Sequence, residues 1–139
     1  MRVVIDTNII ISGIFFGGNP RNILSKCYTD LLTPVCTESI FTEYIEIIER
    51  ISKRSGKYSI KDIEPLLAEY FEIIEETLFG LYSRDPDDDK FINCAISSGS
   101  EYIISGDNDL LILKEIESVK IVDAKYFLDE VIPGLQKDI

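Results

Sequence analysis

The sequence predicts an α/β fold of three layers, α/β/α, around a mostly parallel central sheet. Three observations carry this. Short, β-branched apolar runs (Val3 to Ile5, Leu31 to Cys36, Tyr102 to Ser105, Val119 to Val122) alternate with segments in which apolar residues recur at helical spacing. The runs are apolar enough to be covered on both faces, as strands of a parallel sheet are. Aspartate, threonine or asparagine stands where a strand gives way to a helix, the position that a capping side chain fills.

Val3 to Ile5 is the first strand, and it ends in Asp6-Thr7-Asn8, where Thr7 or Asn8 can cap a helix over Ile9 to Phe16. Gly17-Gly18-Asn19-Pro20 breaks that helix, and Arg21 to Thr29 resumes helical spacing through Ile23, Leu24 and Cys27. Leu31 to Cys36 follows as the second strand. Thr37 caps a long helix that carries Ile40, Phe41, Tyr44, Ile45, Ile48 and Ile51 on one face and ends at Ser55-Gly56. Ser59 begins another, with Ile63, Leu66, Leu67, Tyr70, Phe71 and Ile74 at helical spacing. Leu78 to Tyr82 reads as a short strand. Asp85 and Pro86 supply an N-cap and a first-turn proline for a helix over Asp87 to Ser98. Tyr102 to Ser105 is the next strand, and Gly106-Asp107-Asn108-Asp109 turns into a helix over Leu110 to Leu113. Val119 to Val122 is the last strand, before a helix over Ala124 to Val131.

The 139 residues suit one compact domain spanning 1–139, and a 45% hydrophobic content is enough for a full core. Apolar runs are too short and interrupted to cross a bilayer, so no membrane association is expected. Met1 to Asp6 has too brief an apolar stretch for a secretion signal, which predicts a cytoplasmic location. Cys27, Cys36 and Cys94 form no C-x-x-C pair and read as reduced core thiols. The chain contains no histidine, which removes Ser-His-Asp and Cys-His chemistry, histidine-based RNA cleavage and imidazole zinc sites. A hydrolase built from this chain must use a carboxylate, a lysine or a carboxylate-bound metal. The net charge of −11 opposes approach to nucleic acid. Acid gathered in one pocket is different, because bound cations reverse its local sign.

Asp6 and Asp107 each follow a strand, which places them at the edge where open α/β sheets bind ligands. A strand-end aspartate can equally be a helix cap, but several at one edge point to a site. In Asp87-Asp88-Asp89, Phe91, Ile92 and Ala95 lie three, four and seven positions beyond Asp88. Asp88 therefore sits over the core-facing stripe, Asp89 lies towards its edge and Asp87 points away. Glu43 lies at the border of the apolar stripe of its helix.

Together, Asp6-Thr7-Asn8, Glu43 within Glu-Tyr-Ile-Glu, Asp85-Pro86-Asp87-Asp88-Asp89-Lys90-Phe91 and Tyr102-Ile103-Ile104-Ser105-Gly106-Asp107-Asn108-Asp109-Leu110 resemble the motifs of the PIN-domain family. The nearest subgroup is that of toxins of toxin–antitoxin systems related to VapC, and the similarity runs from Met1 to about Val131. The resemblance implies a PIN-like fold, with Asp6, Glu43, Asp88 and Asp107 as the catalytic, metal-holding acids and Asp109 as an additional metal ligand. Thr7, Asn8 and Ser105 fall on the small polar positions that orient substrate and water. Many VapC toxins carry arginine followed by asparagine or aspartate where this chain has Gly106-Asp107.

Oxygen-only ligands imply Mg²⁺ or Mn²⁺, with a water made more acidic by the ion attacking an RNA phosphodiester. The resemblance also implies an RNA substrate, a cognate antitoxin protein and a homodimer, formed through the apolar helices at Ile9 to Phe16 and Tyr44 to Ile51. The alternative is a catalytically silent PIN-like module that binds a partner. An aspartyl phosphatase centred on Asp6 ranks lower, because it wants a second aspartate where the chain has Asn8.

Overall fold

The structure, a computed structural model, describes residues 1–137. β1 (Arg2–Ile5) leads into α1 (Thr7–Phe15) and α2 (Gly18–Cys27), then β2 (Thr33–Thr37), α3 (Glu38–Ser55), α4 (Ile60–Tyr70) and β3 (Glu72–Ile74). A 3₁₀ turn (Pro86–Asp88) opens α5 (Asp89–Ser98), followed by β4 (Tyr102–Ile104), α6 (Asn108–Leu111), β5 (Glu115–Ile116) and β6 (Val119–Val122). α7 (Ala124–Tyr126) continues through a π-helical turn (Phe127–Val131) into α8 (Ile132–Lys137).

The six strands form one sheet in the order β3-β2-β1-β4-β6-β5, parallel except for the antiparallel β5. Val3, Val4 and Ile5 of the central β1 are fully buried, as are Ile103 and Ile104 of β4. The expected three-layer α/β architecture is the one observed. From β1 the chain first builds β2 and β3 to one side, then returns to place β4 on the other. The boundary between β1 and β4 is thus the point where strand order reverses, and ligands of open α/β sheets bind beyond the strand ends there.

The long helix forms as its pattern demands. The Thr37 hydroxyl accepts the Ile40 N–H at 3.3 Å, Ile40, Tyr44 and Ile48 are fully buried, and Gly56 closes the helix with φ +69°. The Tyr44 hydroxyl donates to the Ile5 carbonyl, so this buried phenol fastens α3 under the end of β1.

Two segments differ from expectation. The helical pattern continued to Ile74, but α4 stops at Tyr70 because Glu72–Ile74 pairs in parallel with Val35–Thr37 and satisfies the outer edge of β2. Leu78 to Tyr82 is no strand. It lies along α5, with Tyr82 packed against the core while Phe79 and Leu81 point outward, 73% and 82% exposed. The two-residue β5 gave too short a signal to be read in advance. The helices expected to offer a dimer surface are largely consumed by the core, since Ile9, Ile10, Ile11, Phe15, Tyr44 and Ile48 are buried. Among the described residues no helix is long and apolar enough to cross a membrane.

Candidate active site

The site grows from the ends of β1 and β4. One residue beyond each strand the ladder continues: the Asp6 N–H donates to the Ile104 carbonyl at 2.9 Å and the Ser105 N–H to the Val122 carbonyl at 3.0 Å. Both side chains are buried, Asp6 at 4% and Ser105 at 0% exposure. The Ser105 hydroxyl donates to Asp6 Oδ2 at 2.7 Å and accepts the Asp107 N–H at 2.9 Å, so one hydroxyl links the ends of two strands. Asp107 Oδ1 in turn accepts the Asp109 N–H at 2.9 Å, capping the short α6.

Asp88, at the end of the 3₁₀ turn, comes to this edge from α5. Oxygens of Asp88, Asp107 and Asp109 lie within 4.8 Å of one another. Asp88 is buried and its Oδ2 has no hydrogen-bond partner. A buried, unpartnered carboxylate oxygen is costly unless something positive approaches it. Burial raises the Asp88 carboxyl to about 7, with further pushes from the charge of Asp107 and its hydrogen bond, then from Asp85 and Asp6. Asp6 is also raised, by burial first and by Asp107, against the lowering effect of the Ser105 hydroxyl. Three carboxylates gathered this closely, with oxygen as the only donor atom, fit a hard divalent cation.

The acids predicted from sequence do not all converge. Glu43 stands outside that group of three, and both its oxygens are engaged: Oε2 accepts the Thr7 hydroxyl and Oε1 the Lys90 ammonium at 2.7 Å. Asp6 is close enough to feel Asp107 but is likewise outside the three. Asp109 carries its own counter-ion, Arg84, at 2.5 Å. Thr7 is buried beside Asp6, whereas Asn8 is exposed in the first turn of α1.

Four residues have roles that the sequence did not assign. Lys90 and Arg84 bring cations to the acids. Asp89 and Asn93, both buried, hold the 77–83 segment. Asp89 Oδ1 accepts the N–H groups of Tyr82 and Ser83 at 2.9 and 2.7 Å. Asn93 both accepts from the Gly80 N–H at 2.9 Å and donates to its carbonyl at 3.0 Å. The Ser97 and Thr77 hydroxyls meet at 3.1 Å. Asp89, Asn93 and Ser97 are four residues apart on one face of α5, so the segment is a strap laid antiparallel along the helix. That polar i, i+4, i+8 row on an otherwise apolar helix was the available signal.

The family model for the PIN domain matches residues 2–109, a span that contains Asp6, Glu43, Asp88, Asp107 and Asp109. An uncharacterized protein of Methanocaldococcus jannaschii is 30% identical over 142 residues, covering 94% of this chain and 91% of the relative. PIN domains are generally nucleases. A match of that extent, reaching every acid of the cleft, shows that the chain belongs to the PIN-domain family.

Proposed function

We propose that this chain is a single-domain, Mg²⁺- or Mn²⁺-dependent endoribonuclease, and that it serves as the toxin of a toxin–antitoxin pair. The observation that carries the nuclease reading is the buried Asp88, one oxygen of which is unpartnered, in a group completed by Asp107 and Asp109 at the reversal point of the sheet. Asp88, Asp107 and Asp109 would hold the ion. A divalent ion there supplies charge against the phosphate and lowers the pKa of attacking water.

The chain's own groups prepare the site. Ser105 fixes the Asp6 carboxylate and the Asp107 backbone with one hydroxyl, so Asp6 is oriented towards the cleft without needing to be a direct ligand. Thr7 holds Glu43, and Asn8, exposed at the same strand end, is free to meet substrate. Arg84, mostly exposed and on Asp109, is positioned to take a phosphate oxygen in exchange. The toxin role requires an antitoxin protein, and an apolar groove lined by Leu24, Tyr28, Tyr58, Leu66 and Leu67 supports a protein partner or a second copy of the chain. Such a toxin would act in the cytoplasm.

The test is cleavage of mixed RNAs by the purified chain with chelator and with Mn²⁺, alongside Asp107→Asn. Cleavage only with the ion, lost in the variant, is the expected result; metal-independent cleavage, or none in either case, removes this reading. Because the chain carries −11, RNA affinity should also rise when Ca²⁺ is added to the chelated protein, read by fluorescence anisotropy with a non-cleavable backbone. Equal affinity with and without the ion favours the silent partner-binding module instead.

A further inference from the structure

We propose that the Lys90 ammonium is the second cation of this cleft, so that the chain takes one divalent ion and supplies the other positive charge itself. The inference rests on the metal reading above and deepens it. Two-ion phosphodiester hydrolases place two cations about 3.5–4 Å apart to share the charge of one phosphate. Here Glu43, the acid contributed by α3, already accepts a hydrogen bond at each oxygen and holds a cation of the chain's own at Oε1, so a divalent ion binding there would have to displace the ammonium. Oε1 accepts from Lys90 at 2.7 Å and Oε2 from Thr7, and Glu43 lies outside the group formed by Asp88, Asp107 and Asp109.

Lys90 is not an incidental surface pair. Its side chain is 21% exposed and that of Glu43 31%, so the contact is half withdrawn from water. Lys90 stands two residues beyond Asp88 at the start of α5, and Thr7 follows Asp6 at the end of β1. The Glu43–Lys90 pair is therefore anchored at both ends to elements that carry the acids. An ammonium has three donors. One goes to Glu43, and among the described residues no other protein acceptor takes the remaining two, which leaves them for a phosphate oxygen. The division of labour follows from charge: the corner with Asp88, Asp107 and Asp109 has carboxylates in excess, whereas the Glu43 corner is already neutral.

Counting bound Mn²⁺ by electron paramagnetic resonance on the full chain tests this without reference to catalysis. Wild type should hold one ion, and Glu43→Gln should still hold one, because Glu43 is no ligand. Lys90→Met frees the Glu43 carboxylate and should add a second ion, whereas Lys90→Arg keeps the charge and should stay at one. If Lys90→Met melts too low for titration, Lys90→Gln replaces it under the same expectation. Two ions on wild type with one lost in Glu43→Gln would overturn the proposal and leave the nuclease reading standing. A count that stays at one in the neutral Lys90 variants also overturns it. No ion on wild type defeats both readings.

Discussion

Two corners of one cleft use acids in opposite ways. At Asp88, Asp107 and Asp109 the carboxylates crowd within 4.8 Å, one buried oxygen has no partner, and Asp88 is raised to about 7. At Glu43, brought in by α3, each oxygen meets a donor from the chain, Thr7 or Lys90. The first corner is unfinished, with an oxygen that the fold leaves unsatisfied, and the second is finished already. An acid's chemistry thus depends on whether its oxygens are satisfied within the fold, not on its place in a motif.

The largest effect should come from breaking the unfinished corner. Asp88→Asn removes the buried carboxylate and should lower RNA cleavage at least about 100-fold, since even groups that only orient metal ligands are worth up to that much. The same substitution relieves repulsion from Asp107, Asp85 and Asp6, so the chelated variant should melt no lower than the chelated wild type. An Asp88→Asn protein that cleaves at the wild-type rate would erase the distinction between the corners.

The strap offers the next test, because it sets Arg84 against the unfinished corner by contacts that involve no metal. Asn93→Ala leaves the Gly80 N–H and carbonyl without their partner, which should cost about 1–3 kcal/mol in chemical denaturation. An unchanged midpoint and slope would show that the strap is held by something other than α5.

A smaller effect concerns protons. The Asp88 carboxyl lies at about 7 in the folded chain against 3.8 for the free group, so between those values the folded state holds a proton that the unfolded state has released. Stability therefore falls as pH rises through that window. The metal-free protein should melt higher at about pH 6 than at about pH 8, and Asp88→Asn should flatten the difference. Saturating Mn²⁺ should flatten it too, because an ion stabilises the ionised form. Least of all should follow from Asp87→Asn, whose exposed side chain should change stability by less than about 0.5 kcal/mol and leave ion binding intact.

Much of this was legible beforehand for a physical reason. Burial on both faces forces β1 and β4 to be short and apolar, so their ends, and with them Asp6 and Asp107, can be located from the chain alone. The register of Asp88 follows from Phe91, Ile92 and Ala95, all of which are buried. The role of Glu43 was not legible in the same way, because its partner Lys90 lies 47 residues along the chain and their meeting depends on how α3 and α5 are each set against β2. Leu78 to Tyr82 misled for a related reason. Its β-like apolar content is real, but its backbone bonds go to side chains of Asp89 and Asn93, and no pattern within the segment reveals that.

α5 grips the strap by the main-chain atoms of Gly80, Tyr82 and Ser83, which every amino acid except proline presents alike. The side chains at Phe79 and Leu81 take no part in that grip and face outward. Chemistry and surface are therefore under separate genetic control across a few residues: one helix face preserves the route to Arg84 while its outer side is open to rewriting. A library randomised at these two positions, proline excluded, should keep the melting temperature and the bound-ion count of the parent while diversifying what the protein can touch beside its cleft.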